Sequence, residues 1–291
     1  MSTAGIHFRK MNGIGNDFVV IDTRHHALAL TPAIAQAIAD RDHGIGCDQL
    51  ITIEPPRKVA DADGFMGIWN PDGSEVGACG NATRCVGQIL LDETGKDEVV
   101  IETLRGRLTC ARAPGGLFTA DMGAPRLLAG EIPLSAPVPD TQAVDLSPAL
   151  AEAPDLPPFA AVNMGNPHAV FFIEDFTRFA PGVLGPLLER HPMFPERANI
   201  SFARVDDREH ITLHVWERGA GLTLACGSAA CATAVAAIRL GLTERKVTIA
   251  LPGGALTIEW PGGDAHVFMT GPTALEFEGE LDDRLLAGAA A

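Results

Sequence analysis

The sequence predicts an α+β protein of two pseudo-symmetric lobes, each a curved, mostly antiparallel β-sheet or barrel wrapped around a central apolar helix. Three observations predict it. A Cys-Gly motif, Cys79-Gly80 and Cys226-Gly227, occurs twice, 147 residues apart. Further pairs hold nearly the same register, Ile101 and Ile249, Gly106 and Gly254, Leu108 and Leu256, and Gly123 and Gly271 each lying 148 apart. The run that follows each Cys-Gly is apolar almost all round, and a helix without a polar face has to be surrounded.

The elements follow from local signals. Each half opens on a strand-like segment, His7–Met11 and Phe159–Met164, followed by a Gly-Asn turn (Gly15-Asn16, Gly165-Asn166) and a second strand, Phe18–Ile21 and Ala169–Ile173. Thr31-Pro32 then opens a peripheral amphipathic helix that ends before Gly44, Thr being a favoured N-cap and Pro a favoured first helical residue. Its partner in the second half lies around Leu184–Arg190. The two apolar helices are expected over Cys79–Leu91, ending before Gly95, and Cys226–Leu240, ending at Gly241. Strands Val99–Thr103 and Leu108–Ala111 follow the first, and Val247–Leu251 and Leu256–Trp260 the second. Lobe boundaries are expected at 1–125, completed by a C-terminal strand at 272–284, and at 126–271. The Pro- and Ala-rich segment Ala129–Pro158 is expected to connect them, with a short strand at Ile132–Leu134, and the tail Leu286–Ala291 is expected to fray.

Composition excludes several function classes. The chain has 291 residues, 46% of them hydrophobic, enough for two domains with real cores. A net charge of −15 and a pI near 4.9, with no cluster of Lys or Arg, argue against nucleic acid as a partner. No apolar run approaches the roughly 20 residues that span a bilayer, and residues 1–10 lack the apolar block of a signal peptide, so neither a membrane nor export is expected and the expected location is cytoplasmic. In a reducing compartment the six cysteines should be free thiols. Cys47, Cys85, Cys110 and Cys231 read as small buried hydrophobes, leaving Cys79 and Cys226 in the Cys-Gly context.

A thiol where a loop becomes a helix sits in the field of unpaired amides and of the positive end of the helix dipole, which favours thiolate and can also hold a carboxylate. One base that removes a proton and returns it to the same face changes nothing. A base on one face and an acid on the other inverts the carbon, and two thiols from two similar lobes suit that inversion. The carbon acid is weak, so amides at Gly80-Asn81 and Gly227-Ser228 would be needed to stabilise the developing charge.

Five separated stretches, Met11-Asn12-Gly13-Ile14-Gly15-Asn16-Asp17-Phe18, Asp72-Gly73-Ser74, Cys79-Gly80-Asn81, Met164-Gly165-Asn166-Pro167-His168 and Glu217-Arg218-Gly219-Ala220-Gly221 ahead of Ala225-Cys226-Gly227-Ser228, resemble the signatures of the diaminopimelate epimerase family, in the family's order and over nearly the whole chain. The resemblance implies that family's fold and a cofactor-independent, metal-free epimerase that interconverts LL- and meso-2,6-diaminopimelate in lysine and peptidoglycan precursor biosynthesis. It implies Cys79 and Cys226 as proton donor and acceptor, His168 and Glu217 as residues that tune the thiols, and Asn16, Gln49, Asn70, Gly80, Asn81, Asn166, Asn199, Glu217, Arg218, Gly227 and Ser228 as substrate contacts. It implies a homodimer, with Phe277 where relatives carry an interface Tyr. Two positions depart from the family pattern: Ala82 replaces a common Gly and Leu222 a frequent Glu, the latter removing a charge near the second thiol. Proline racemase and hydroxyproline epimerase are the alternatives in the same fold class, disfavoured by Asn81 where they place His. A phenazine-biosynthesis-type isomerase lacks the paired cysteines. From other classes, a non-catalytic amino-acid-binding protein would not need both thiols, and a metalloenzyme built on His210 and His214 would lack an obvious third ligand.

Overall fold

The structure is a computed structural model that describes residues 5–25, 28–282 and 285–286. Residues 287–291, most of the tail expected to fray, lie outside the described residues. The chain divides into two compact units, Met1–Ala120 with Gly271–Ala291, and Asp121–Thr270.

In the first unit, β1 (His7–Gly13) and β2 (Asn16–Asp22) form a hairpin whose two turn residues, Ile14 and Gly15, are both left-handed, φ 59° and 86°. That pairing matches the twist of a two-residue hairpin, at a strain cost for the β-branched Ile14. Asn12 Oδ1 holds the turn by accepting the Gly15 N–H at 2.7 Å. Helix α1 (Pro32–Ala39), capped by Thr31, carries the chain to β3 (Gln49–Glu54), which lies parallel to β2, and β4 (Gly64–Trp69) returns antiparallel. Helix α2 (Gly80–Thr94) makes the second crossover, to β5 (Glu98–Thr103), parallel to β4, before β6 (Gly106–Ala113) and β7 (Leu117–Asp121) complete the meander. Parallel neighbours need such crossovers, and both are helices. The strands are buried on both faces: Phe18, Val20, Ile51 and Ile53 pack with α2, while Val19, Ile21 and Leu50 pack with α1. Val86, Ile89 and Leu90 of α2 sit inside that sheet, each worth roughly 1.5–3 kcal/mol of burial. Left-handed Gly95, φ 66°, ends the helix.

The second unit repeats the scheme. Strands β8 (Phe159–Asn163) and β9 (Pro167–Phe172) form the hairpin, α3 (Pro181–Glu189) crosses to the parallel β10 (Asn199–Val205), and β11 (His210–Glu217) returns. A short β12 (Gly221–Thr223) folds back on β11. Helix α4 (Gly227–Arg239) crosses to β13 (Lys246–Leu251), parallel to β11, followed by antiparallel β14 (Gly254–Glu259) and β15 (Phe268–Gly271). The face of α4 that meets the sheet is nearly all alanine and fully buried, which brings the strands close to the helix backbone. The outer layer is aromatic, Phe159, Phe171 and Phe202 packing with Leu184 and Leu188 of α3.

The segment Ala129–Pro158 packs into the second unit, its Ile132, Val144 and Ala153 belonging to that unit's core. One expectation needs correction. Ile132–Leu134 is a turn and not a strand: the Leu134 N–H bonds back to the Ile132 carbonyl at 2.7 Å across Pro133, which has no N–H for a ladder.

The last strand, β16 (Ala274–Glu280), belongs to the first unit, where it pairs antiparallel with β1 across an irregularity at Lys10/Met11.

Candidate active site

In the first unit the N-cap of α2 is Cys79, extended at φ −146°, with its carbonyl bonded by both the amide and the hydroxyl of Thr83 at 2.9 and 2.8 Å. The Cys79 side chain does not itself cap that turn, and first-turn amides with the helix dipole favour an anion there. Around the thiol stand the ends of three neighbouring strands. Asn16 begins β2, Gln49 begins β3, and Asn70 directly follows β4. The Asn16 carboxamide oxygen accepts from Asn81 Nδ2 at 3.3 Å and faces Cys79 Sγ at 4.0 Å, while Gln49 Nε2 donates to Asn70 Oδ1 at 3.2 Å. Asn70 in turn donates to the Ser74 hydroxyl at 3.1 Å. Two buried acceptors, Gln49 Oε1 and Asn81 Oδ1, have no hydrogen-bond partner among the described residues. Leaving a buried acceptor unmet costs about 1–3 kcal/mol, so such atoms are natural contacts for a ligand's N–H or ammonium.

In the second unit Cys226 is the N-cap of α4, at φ −135°. Burial and then the neighbouring Glu217 carboxylate push its thiol well above the ordinary range, against the Ser228 hydroxyl and the Ala229 amide, which favour thiolate. Ser228 Oγ lies 3.5 Å from Sγ and accepts from Asn166 Nδ2 at 3.4 Å. Asn166 Oδ1 lies 2.9 Å from His168 Nε2; since that oxygen only accepts, the proton of the neutral ring is on Nε2. Burial, with a smaller contribution from Arg218, pushes His168 down to about 3 and keeps it neutral, with Nδ1 a buried acceptor that has no partner among the described residues. Glu217 ends β11 and accepts the Thr223 hydroxyl at 2.6 Å. Asn199 begins β10, where its oxygen accepts the Arg218 N–H at 3.0 Å and its amide donates to the Pro167 carbonyl at 3.2 Å. The Arg218 guanidinium is exposed and donates to the Glu196 carbonyl at 3.0 Å.

Each unit thus gathers its own set of expected residues at the start of its apolar helix: Asn16, Gln49, Asn70, Gly80 and Asn81 with Cys79, and Asn166, His168, Asn199, Glu217, Gly227 and Ser228 with Cys226. His168 is linked to the thiol through Asn166 and Ser228. Phe277 stands outside both sets, 48% exposed on β16 and edge-on to Phe8. Leu222 is exposed on β12, whereas Ala82 is buried in α2. His210 pairs with Asp207, and His214 packs on Phe176. Burial raises Cys47 to about 11 and Cys85 and Cys110 to about 12, in keeping with a packing role.

Sequence reasoning missed the residues that hold these groups. Glu189, buried on α3, accepts Trp216 Nε1 at 2.7 Å and the Gly219 N–H at 3.1 Å, gripping both sides of Glu217-Arg218. Lys10, Asp17, Arg41 and Asp48 form an ion-pair network beneath Asn16. Their one visible signal was adjacency, in the pairs Asn16-Asp17 and Asp48-Gln49.

The pattern that defines diaminopimelate epimerase matches residues 8–128 and 160–276, covering both helices that begin at a thiol. A diaminopimelate epimerase of Methylocella silvestris is 54% identical over 97% of this chain and 97% of the relative, and one of Rhodospirillum centenum is 54% identical over 97% and 94%. Among solved structures, a hydroxyproline epimerase from Agrobacterium vitis with bound trans-4-hydroxy-L-proline superposes at a TM-score of 0.65 with 15% identity, covering 95% of this chain and 92% of that one. A phenazine biosynthesis protein of the PhzF family from Bacillus anthracis does so at 0.66 with 16% identity, covering 97% and 100%, so the fold is shared more widely than the sequence. Because the pattern spans both units and half the residues match over nearly whole chains, the protein belongs to the diaminopimelate epimerase family.

Proposed function

We propose that this chain epimerises LL-2,6-diaminopimelate to the meso isomer without cofactor or metal, by a two-base mechanism in which Cys79 and Cys226 serve opposite faces of the α-carbon. The observation that carries the reading is the pair of Cys-Gly N-caps, one on the apolar helix of each unit. The Cα–H bond breaks toward one sulfur as thiolate, and the thiol of the other delivers its proton to the opposite face, so that one thiol and one thiolate exchange roles in each turnover. First-turn amides at Gly80-Asn81 and Gly227-Ser228 would hold the α-carboxylate as negative charge spreads into it. The distal amino-acid head needs acceptors for an ammonium and donors for a carboxylate. Gln49 and Asn81 supply unmet acceptors, Arg218 an exposed guanidinium, and Asn16, Asn70, Asn166 and Asn199 both kinds of group. Glu217 tunes Cys226 directly, and His168 through Asn166 and Ser228. This reading places the enzyme in the cytoplasm, supplying lysine and peptidoglycan precursor synthesis, as a homodimer with Phe277 at the interface. Among the described residues no helix is long and apolar enough to cross a membrane.

The test is α-proton exchange of LL-diaminopimelate in deuterated water, with chelator present, for wild type, Cys79→Ser and Cys226→Ser, with proline in parallel. Exchange with inversion of diaminopimelate alone, lost in either variant, supports the reading. Turnover of proline, or exchange that survives both substitutions, refutes it.

A further inference from the structure

Asn16 bonds on two sides, and its chemistry is set by which end of the carboxamide faces which side. Its Nδ2 donates to Asp48 Oδ2 at 2.9 Å, and its Oδ1 faces the Cys79 thiol at 4.0 Å and accepts from Asn81 at 3.3 Å. A carboxylate offers only acceptors, so a charged Asp48 admits only the NH2 end of Asn16 on its side. The carboxylate is itself fixed. The same Oδ2 accepts the Asp17 N–H at 3.1 Å, Oδ1 accepts from Arg41 Nη2 at 2.7 Å, and the Asp48 N–H reaches the Asp17 carbonyl and carboxylate at 3.0 and 2.9 Å. Asp17 is locked by Arg41 at 2.8 and 3.1 Å and by the buried Lys10, which also donates to the Gly46 carbonyl. Two carboxylates and two cations balance in charge, so the network can stay ionised while partly buried.

We infer that Asp48 is a positioning residue that fixes the flip of the Asn16 carboxamide, so that an oxygen and not an NH2 faces the thiol of Cys79. An oxygen in that place accepts from S–H and stabilises the protonated thiol; an NH2 there would stabilise the thiolate instead. The clamp therefore favours a protonated Cys79. It also ties the start of β2 to the start of β3, and so holds Asn16 beside Gln49. Its relevance to catalysis rests on Cys79 being a reacting thiol, but its test needs no turnover.

The test is the rate of iodoacetamide alkylation at Cys79 at fixed neutral pH, read peptide by peptide by mass spectrometry. Cys79 is the partly exposed cysteine of the six, the others being buried. Asp48→Ala frees the carboxamide to turn, and losing a weak S–H···O contact should raise the thiolate fraction and the rate about threefold. The isosteric Asp48→Asn should raise it about twofold. In an Asn16→Ala background Asp48→Ala should add nothing, because the residue it positions is gone. Cys47, buried beside the clamp, is the internal control for local unfolding, and if Asp48→Ala exposes it, Asp48→Asn carries the test. Unchanged labelling of Cys79 in the folded variants overturns the inference. So does an increase that persists in full without Asn16, which would mean that Asp48 acts only through its charge.

Discussion

Gly87 sits in the middle of α2, where the helix packs tightly on Cys110 of β6, and Gly87→Ala tests whether the position of Cys79 depends on that closeness. A Cβ at this position would lie 2.3 Å from Cys110 Sγ and 2.6 Å from Cys110 Cβ. The sulfur can rotate away, but the Cβ is one bond from the strand backbone, so helix and strand must separate by about 1 Å to restore contact distance. Overpacking of this kind costs about 1–3 kcal/mol, and two fully buried partners put it near the upper end. Alanine returns about 1 kcal/mol of helix propensity, leaving a net loss of about 2 kcal/mol. For a chain of this size that lowers Tm by about 4–8 °C. Cys79 begins the same helix, and with Cys79 as the reacting thiol proposed above a displacement of about 1 Å costs on the order of 100-fold in rate. The assays are a circular-dichroism melt and α-proton exchange of LL-diaminopimelate. Cys110→Gly removes both clashing atoms and should restore most of the loss, whereas Cys110→Ala keeps the Cβ and should restore little. A Gly87→Ala protein that melts within about 1 °C of wild type with an unchanged exchange rate refutes the reasoning, as does full rescue by Cys110→Ala.

Glu217→Gln removes the negative charge that helps to hold Cys226 protonated, so the midpoint for alkylating Cys226 should move to lower pH. His168, near 3 when folded against about 6.5 when exposed, refuses a proton that the unfolded chain accepts. Its contribution to stability is complete above about pH 6.5 and is lost as pH falls toward 3, amounting to about 2 kcal/mol by pH 5; His168→Gln, which keeps a donor for Asn166, should flatten the acid limb of the stability–pH curve in that window. Glu189→Ala leaves the Trp216 and Gly219 N–H groups without their carboxylate, and should cost about 2–3 kcal/mol in a urea titration and raise KM more than it lowers kcat, with a shift in tryptophan emission. Equal KM and an unshifted spectrum would speak against a role in presenting Glu217-Arg218. Native iodoacetamide labelling should reach Cys79 first and Cys47, Cys85 and Cys110 only after denaturation, since burial holds those three thiols at about 11 to 12.

The two helices that begin at Cys79 and Cys226 were legible because their chemistry is local: a polar turn, a Cys-Gly step and a run with no solvent face admit few other placements. The peripheral α1 was legible from Thr31-Pro32, a cap and an N1 residue side by side. What the chain hides is pairing at long range. Nothing near Asp48 announces that it reaches back to Asn16, 32 positions earlier, nor does Glu189 announce Trp216, 27 positions on. The same limit applies to Ile132–Leu134, whose strand-like letters lose to a turn once Pro133 withholds its N–H. Ile14 is a sharper case, because a β-branched residue at φ 59° contradicts its own propensity, and only the register of the β1–β2 hairpin requires it.

The return of β16 to β1 has a consequence for synthesis. The second unit is one continuous stretch, Asp121–Thr270, and all its strands are available once that stretch has left the ribosome. The first unit is translated earlier but is completed by Gly271–Ala291, so its outermost strand is the last to be made. Until then β1 presents an open edge with Phe8 and Met11 beside it, the sort of edge that pairs with strands of other chains. The half that begins first is finished last, because the strand that seals it follows the whole of the second unit in the chain.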